Sequence, residues 1–161
     1  MNAQQPSSES VILLADDRED DVLLTRHAFD RARVVNPVFV THDGEETVAY
    51  LQGKGKFFNR DEYPLPDLLL LDLHMPKLDG FEVLNWVRNH PTLHSLRIVV
   101  LTTSDQAIDI DRAYELGANS FVVKVLDFKK YCAIMERMMA FWLQASSAPS
   151  VWRSDRAWAG E

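Results

Sequence analysis

The sequence predicts an α/β protein: a sheet of five parallel strands with helices on both faces. Three observations carry this. Strand-like and helix-like segments alternate five times along the chain. The strand-like segments are short and continuously apolar, as in Leu68-Leu69-Leu70-Leu71. That is the pattern of parallel strands buried on both sides. Each run except the second also stops abruptly at a polar group suited to chemistry: Asp16-Asp17, Asp72, Thr102-Thr103 and Lys124. In an open α/β sheet, the carboxyl ends of the strands are where ligands bind.

Residues 1–9 are polar and read as a disordered lead. Val11 to Ala15 is the first strand. A helix from about Asp20 to Ala32 follows, with acids in its first turn where the helix dipole favours them, and with Val22, Leu23, Arg26 and Phe29 at helical spacing. Val38 to Thr41 is the second strand, Asp43-Gly44 breaks it, and Glu45 to Leu51 is a short helix. Gln52 to Pro66 reads as a solvated loop. Its Gly53-Lys54-Gly55-Lys56 is not a phosphate loop, because the spacing is wrong and no strand leads into it. Leu68 to Leu71 is the third strand, and a helix from Gly80 to about Asn89 ends before Pro91. Arg97 to Leu101 is the fourth strand. The helix from Asp105 to Leu116 is stopped by Gly117 in a left-handed conformation. Ser120 to Val123 is the fifth strand, and Asp127 caps a last helix from Phe128 to about Leu143. Residues 145–161 form a tail containing Trp152 and Trp158.

The chain has 161 residues, a hydrophobic fraction of 47% and a formal net charge of -7. That length suits one domain, residues 10–144. The acidic balance argues against nucleic acid as a partner, since phosphate backbones recruit basic surfaces. Cys132 is the single cysteine, so no internal disulfide forms, and its place in a helical pattern reads as a small buried apolar residue. The run Val11 to Ala15 is too short for a signal sequence or a membrane span, which makes a cytoplasmic, membrane-free protein the expectation.

If the strand ends share one edge, Asp16, Asp17 and Asp72 meet there. Each pair of like charges about 4 Å apart costs about 4 kcal/mol at an effective dielectric near 20, so the cluster needs a cation. Oxygen ligands without His or Cys suit Mg²⁺ or Mn²⁺. Lys124 and a threonine hydroxyl beside such a site could receive a phosphoryl group, and Asp72 could accept one covalently. Taken singly, each residue has a plainer reading: a turn former, a helix-start acid, a cap or a solvated charge.

Four segments together carry a resemblance. Val11-Ile12-Leu13-Leu14-Ala15-Asp16-Asp17, Leu71-Asp72-Leu73-His74-Met75-Pro76-Lys77-Leu78-Asp79-Gly80, Val100-Leu101-Thr102-Thr103-Ser104 and Ala118-Asn119-Ser120-Phe121-Val122-Val123-Lys124 resemble the response-regulator receiver domain, over about Val11 to Leu143. The resemblance implies a flavodoxin-like (βα)5 fold with strand order 2-1-3-4-5. It implies that Asp72 accepts phosphate from a sensor histidine kinase. It implies Mg²⁺ held by Asp17, Asp72 and the backbone carbonyl of His74, with Asp16 acting largely through water. Thr102 and Phe121 become the switch pair, Lys124 the phosphate-pairing cation, and His74 and Ser104 the residues that tune dephosphorylation. Such a chain is a phosphoacceptor assisting its own phosphorylation and dephosphorylation, not a turnover enzyme. With no output domain after Leu143, it would signal by protein contact, or pass phosphate onward.

The longer loop Gln52 to Pro66, the Leu-Thr-Thr-Ser string and the Phe141-Trp142-Leu143 ending resemble the phytochrome-associated single-domain subgroup, which implies a bacteriophytochrome kinase. One departure stands out. Val125 occupies the place where receivers usually carry a proline after the lysine. A cis bond before valine would cost about 2.5–4 kcal/mol, so the loop before the last helix is expected to differ. The last helix carries Phe128, Tyr131, Met135, Met138 and Trp142 on one stripe, with Ile134 and Phe141 off it. The surplus suggests a dimer or partner face, the homodimer running through the fourth helix, fifth strand and last helix.

Other classes fit less well. An aspartate-nucleophile phosphohydrolase commonly carries a second acid where His74 stands. A flavodoxin-type protein would place a flavin phosphate against Asp16-Asp17. A degenerate receiver acting without phosphorylation lacks part of the acid, threonine and lysine set.

Overall fold

The computed structural model describes residues 10–144, and the predicted lead and tail, with Trp152 and Trp158, lie outside them. The expected alternation holds. Strands β1 (Ile12–Ala15), β2 (Val38–Thr41), β3 (Leu68–Leu71), β4 (Arg97–Thr102) and β5 (Ser120–Val123) form one parallel sheet in the order β2-β1-β3-β4-β5. The helices are α1 (Glu19–Arg31), α2 (Gly44–Gln52), α3 (Gly80–Arg88), α4 (Ala107–Glu115) and α5 (Phe128–Gln144). Helix α1 contacts α5, while α2 and α4 each contact α3, so the two sets cover opposite faces.

The period of two along each strand explains the double burial. Leu13, Ala15, Leu69, Leu71 and Ile98 pack with Val83, Leu84 and Val87 of α3. Their neighbours Ile12, Leu14, Leu68, Leu70, Val99 and Leu101 pack against Val22 and Phe29 of α1 and Tyr131 and Met135 of α5. Leu73, Phe81, Val100 and Ala113 form a smaller cluster, with half-buried Phe121 at its margin.

The inward face of α1 differs from the predicted one. Leu23 is 50% exposed and Arg26 is exposed, whereas Val22, Thr25, Ala28 and Phe29 are buried. Thr25 fits this apolar face because its hydroxyl shares a 2.7 Å hydrogen bond with the Tyr131 hydroxyl of α5. Burial, with a smaller opposing effect of that bond, pushes the Tyr131 phenol up to about 12. On α5 the expected stripe is joined by buried Met139, Ile134 is half-buried, and Phe141 is 65% exposed. Cys132 is half-buried rather than buried, packed at the edge of the same core.

The segment Gln52 to Pro66 is more than a solvated loop. It contains a 3-10 turn, Gly55–Phe57, and Phe57 is buried against Tyr50 and Tyr63. Arg60 donates to the backbone carbonyls of Tyr50 and Leu51, at the end of α2, and of Tyr63. Helix α4 starts at Ala107, later than predicted, because Gln106 is still extended. Gly117 has φ +104, as expected of a residue stopping that helix. Asp127 meets its predicted capping role, accepting from the Lys130 backbone N–H at 3.2 Å. The described residues contain no cis peptide bond, so Val125 follows Lys124 in trans and packs half-buried at the α1/α5 core.

Candidate functional site

Strand register builds the site. Ala15 pairs with Leu71, so the residues that follow, Asp16 and Asp72, leave the sheet side by side. Thr102 pairs with Val123, so Lys124 leaves β5 just beyond the end of β4, and its N–H donates to the Thr102 carbonyl at 2.7 Å. Asp72 itself donates its backbone N–H to the Ala15 carbonyl at 3.0 Å. A side chain at Gly80 would collide with the Asp72 backbone oxygen and with Leu73, so only glycine lets α3 begin this close to the acid. Asp79 and Glu82 form a reciprocal capping box that fixes the same helix start.

Asp16, Asp17 and Asp72 each offer a carboxylate oxygen, and these atoms lie within 4.8 Å of one another. Asp16 is 1% and Asp72 6% exposed, while Asp17 is open to solvent. The donor set is all oxygen, which fits a hard divalent cation with water completing its shell. Lys124 reaches two of the same carboxylates. Its Nζ lies 2.6 Å from Asp16 Oδ2, 3.0 Å from Asp21 Oδ2 and 3.5 Å from Asp72 Oδ2. Burial works against the ammonium, yet Asp72, Asp16 and Asp21 hold its pKa above the ordinary lysine value. Burial pushes the Asp16 carboxyl above the usual carboxylate range, and the Asp72 charge adds to the push, although Lys124 pulls it back. The neighbouring acids thus raise the lysine, whereas Asp16 is raised chiefly by its burial.

The remaining predicted residues surround this core. Thr102 is fully buried, and its hydroxyl accepts a long 3.4 Å bond from the Ser104 N–H. The Ser104 hydroxyl donates to Asp109 of α4 at 2.6 Å, which ties the turn after β4 to the next helix. The His74 backbone N–H faces Asp72 Oδ1 at 3.3 Å, with its ring exposed. Phe121 stands apart from the acids, on the α4 side of β5. Neither Asp21 nor Asp109 is legible as a site residue in the sequence. Asp21 is one of three consecutive acids in the first turn of α1, and only packing decides which of them faces Lys124. Asp109 has no sequence signal beyond a polar position early in α4.

Residues 12–136 match the response regulator receiver domain. The chain belongs to that family. Among relatives of this receiver is Response regulator Rcp1 of Synechocystis, 32% identical over 148 residues, covering 92% of this chain and 99% of that one. The phosphorylated cyanobacterial phytochrome response regulator RcpA superposes with a TM-score of 0.78 at 35% identity, covering 88% of this chain and 97% of the other. The Mn²⁺-bound form of Rcp1 superposes with a TM-score of 0.74 at 34% identity, covering 83% of this chain and 94% of the other. RcpA is a phytochrome response regulator, the subgroup that the long loop and the Phe-Trp ending pointed to. Among the described residues, no helix of the receiver is long and apolar enough to cross a membrane.

Proposed function

We propose that this receiver is a single-domain, cytoplasmic response regulator that takes a phosphoryl group on Asp72 from a sensor histidine kinase of the phytochrome type, a bacteriophytochrome. The observation that carries the reading is one geometry: Lys124 Nζ 3.5 Å from Asp72 Oδ2, beside an Asp16, Asp17 and Asp72 oxygen cluster spanning no more than 4.8 Å. A carboxylate that was only a turn former would have no reason to sit 6% exposed opposite a buried lysine and two further acids.

An Asp72 carboxylate oxygen attacks the phosphorus of a phosphohistidine. The new P–O bond forms as the P–N bond breaks, and the imidazole nitrogen leaves with the electron pair. The result is an acyl phosphate on Asp72. Lys124 neutralises charge on the phosphoryl oxygens, and Thr102 turns its hydroxyl from the Ser104 N–H to donate to one of them. Mg²⁺, or Mn²⁺ in its place, held by Asp17, Asp72 and the His74 carbonyl, with Asp16 acting largely through water, would supply the remaining positive charge. In the return step water attacks phosphorus and the Asp72 carboxylate leaves, with His74 and Ser104 at the approach to the bond. The chain is consumed and regenerated rather than turning over a substrate.

A phosphoryl group adds a charge of about -1.5 to -2. Movement of Thr102 and repacking of Phe121 then bias a surface made by α4, β5 and α5, where Ile108 and Phe141 are exposed. That surface serves a protein partner or a second copy of the chain. A shift from 1:99 to 99:1 needs about 5.5 kcal/mol, more than one such contact supplies, so the switch contacts act together.

Acetyl phosphate with Mg²⁺ tests the reading by intact-protein mass. The wild-type chain gains one phosphoryl group, Asp72→Asn gains none, and EDTA suppresses the gain. A wild-type chain left unmodified, or an Asp72→Asn variant modified at the same rate, would refute it. A degenerate receiver would show the first of these results.

A further inference from the structure

The lysine that is to meet a phosphoryl group has two of its three hydrogen bonds committed elsewhere. An ammonium has three protons to donate. Lys124 Nζ donates to Asp16 Oδ2 at 2.6 Å and to Asp21 Oδ2 at 3.0 Å, while Asp72, at 3.5 Å, receives only an ion pair. Asp16 and Asp72 belong to the oxygen cluster, but Asp21 does not. Asp21 has a different second neighbour. Arg18, the extended residue just before α1, places Nε 3.7 Å from the same Oδ2, with side-chain exposures of 67% for Arg18 and 19% for Asp21.

We propose that Asp21 is a positioning residue for Lys124: it holds the ammonium in the resting site and passes to Arg18 when a phosphoryl group occupies Asp72. This rests on the phosphoacceptor reading of Asp72. The phosphoryl oxygens are stronger acceptors than a carboxylate already shared; Lys124 has one proton without a hydrogen bond to offer them, and turning a second proton toward them gives up its bond to Asp16 or Asp21. Asp16 is the wrong bond to lose. It is 1% exposed, and without the ammonium it would be a buried, unpaired charge. Asp21 carries the longer bond, is better hydrated and has a guanidinium in reach. The exchange breaks no covalent bond. It makes the first turn of α1, beside the site, a second place where the phosphorylation state is registered.

Two substitutions pull on this exchange from opposite ends. Binding of beryllofluoride, a phosphoryl mimic, is measured by calorimetry on the full chain in Mg²⁺. Asp21→Asn removes the charged competitor for Lys124 and should tighten binding by about tenfold. Arg18→Gln removes the group that receives Asp21 and should weaken binding by about two- to fivefold. The double variant should match Asp21→Asn, because Arg18 acts only through Asp21. A merely structural role would not give opposite signs. An Asp21→Asn affinity that is unchanged or weaker overturns the proposal, as does an Arg18→Gln change in the same direction as Asp21→Asn. Failure of the wild-type chain to bind beryllofluoride would instead overturn the phosphoacceptor reading, and this inference with it.

Discussion

Replacing Lys124 with methionine removes the cation from a site that already carries an excess of negative charge. In the wild-type chain Nζ faces Asp16 at 2.6 Å, Asp21 at 3.0 Å and Asp72 at 3.5 Å, and the lysine side chain is only 5% exposed. At an effective dielectric near 20 each pair has a gross attraction of about 5–6 kcal/mol. Dehydrating the ammonium and crowding the acids together consume most of that. What the variant loses is the net term for breaking a buried pair from one side, about 3–5 kcal/mol. In a chain of this size such a loss lowers Tm by about 6–20 °C. Urea unfolding of both chains in EDTA measures it directly. The same titrations with saturating Mg²⁺ carry the sharper prediction. A cation bound to the oxygen cluster stabilises the folded state by mass action, by about 2.7 kcal/mol at a hundredfold excess over Kd. With the lysine gone, that cation is the counter-charge left to the Asp16 and Asp72 carboxylates, so Mg²⁺ should raise the stability of Lys124→Met more than that of the wild type. Equal stability of the two chains in EDTA, or a Mg²⁺ increment no larger in the variant, would refute the account of the site as a charge-balanced cluster.

Gly80→Ala should lower the rate of Asp72 phosphorylation by acetyl phosphate at least tenfold and destabilise the fold by about 1–3 kcal/mol, because the new methyl group meets the Asp72 backbone oxygen. Stability should fall as pH rises from 10.0 toward about 12: the folded state keeps the Tyr131 proton that the unfolded chain, at the ordinary value of 10.0, has released. This contribution is fully present below 10.0 and is lost as pH passes through the folded value. A gap of that width amounts to about 2–3 kcal/mol, and Tyr131→Phe should flatten that part of a urea-midpoint profile. Phe141→Glu should leave phosphorylation of Asp72 intact but abolish any beryllofluoride-dependent self-association in sedimentation, since Phe141 is 65% exposed on α5. Identical sedimentation of wild type and variant would remove the α4-β5-α5 dimer from the proposal.

Much of this site is legible one residue at a time. Asp16, Asp72, Thr102 and Lys124 each end an apolar run, and a parallel sheet puts all such ends on one edge. The hydrophobic pattern therefore decides both the layers and the place of the chemistry. It decides less where a helix phase or a loop is involved. Leu23 fits a helical spacing as well as Thr25 does, yet Thr25 faces inward because Tyr131 offers its hydroxyl a partner. Phe57 lies among glycines and lysines that read as solvated, and it is buried because Arg60 and two tyrosines close over the end of α2.

The sequence by itself determined the architecture and which polar groups gather at one sheet edge, because burial of the strands on both faces and the polar groups that end them are local properties of the chain. The tertiary structure alone decided how the charges are shared. Glu19, Asp20 and Asp21 are alike in sequence, and only the packing of Val22 and Thr25 onto the sheet turns Asp21 toward Lys124. Partition of one ammonium among Asp16, Asp21 and Asp72 depends on differences of less than 1 Å between side chains up to 108 residues apart. Coulomb energy at such separations is set by distance and burial, which no run of residues encodes locally.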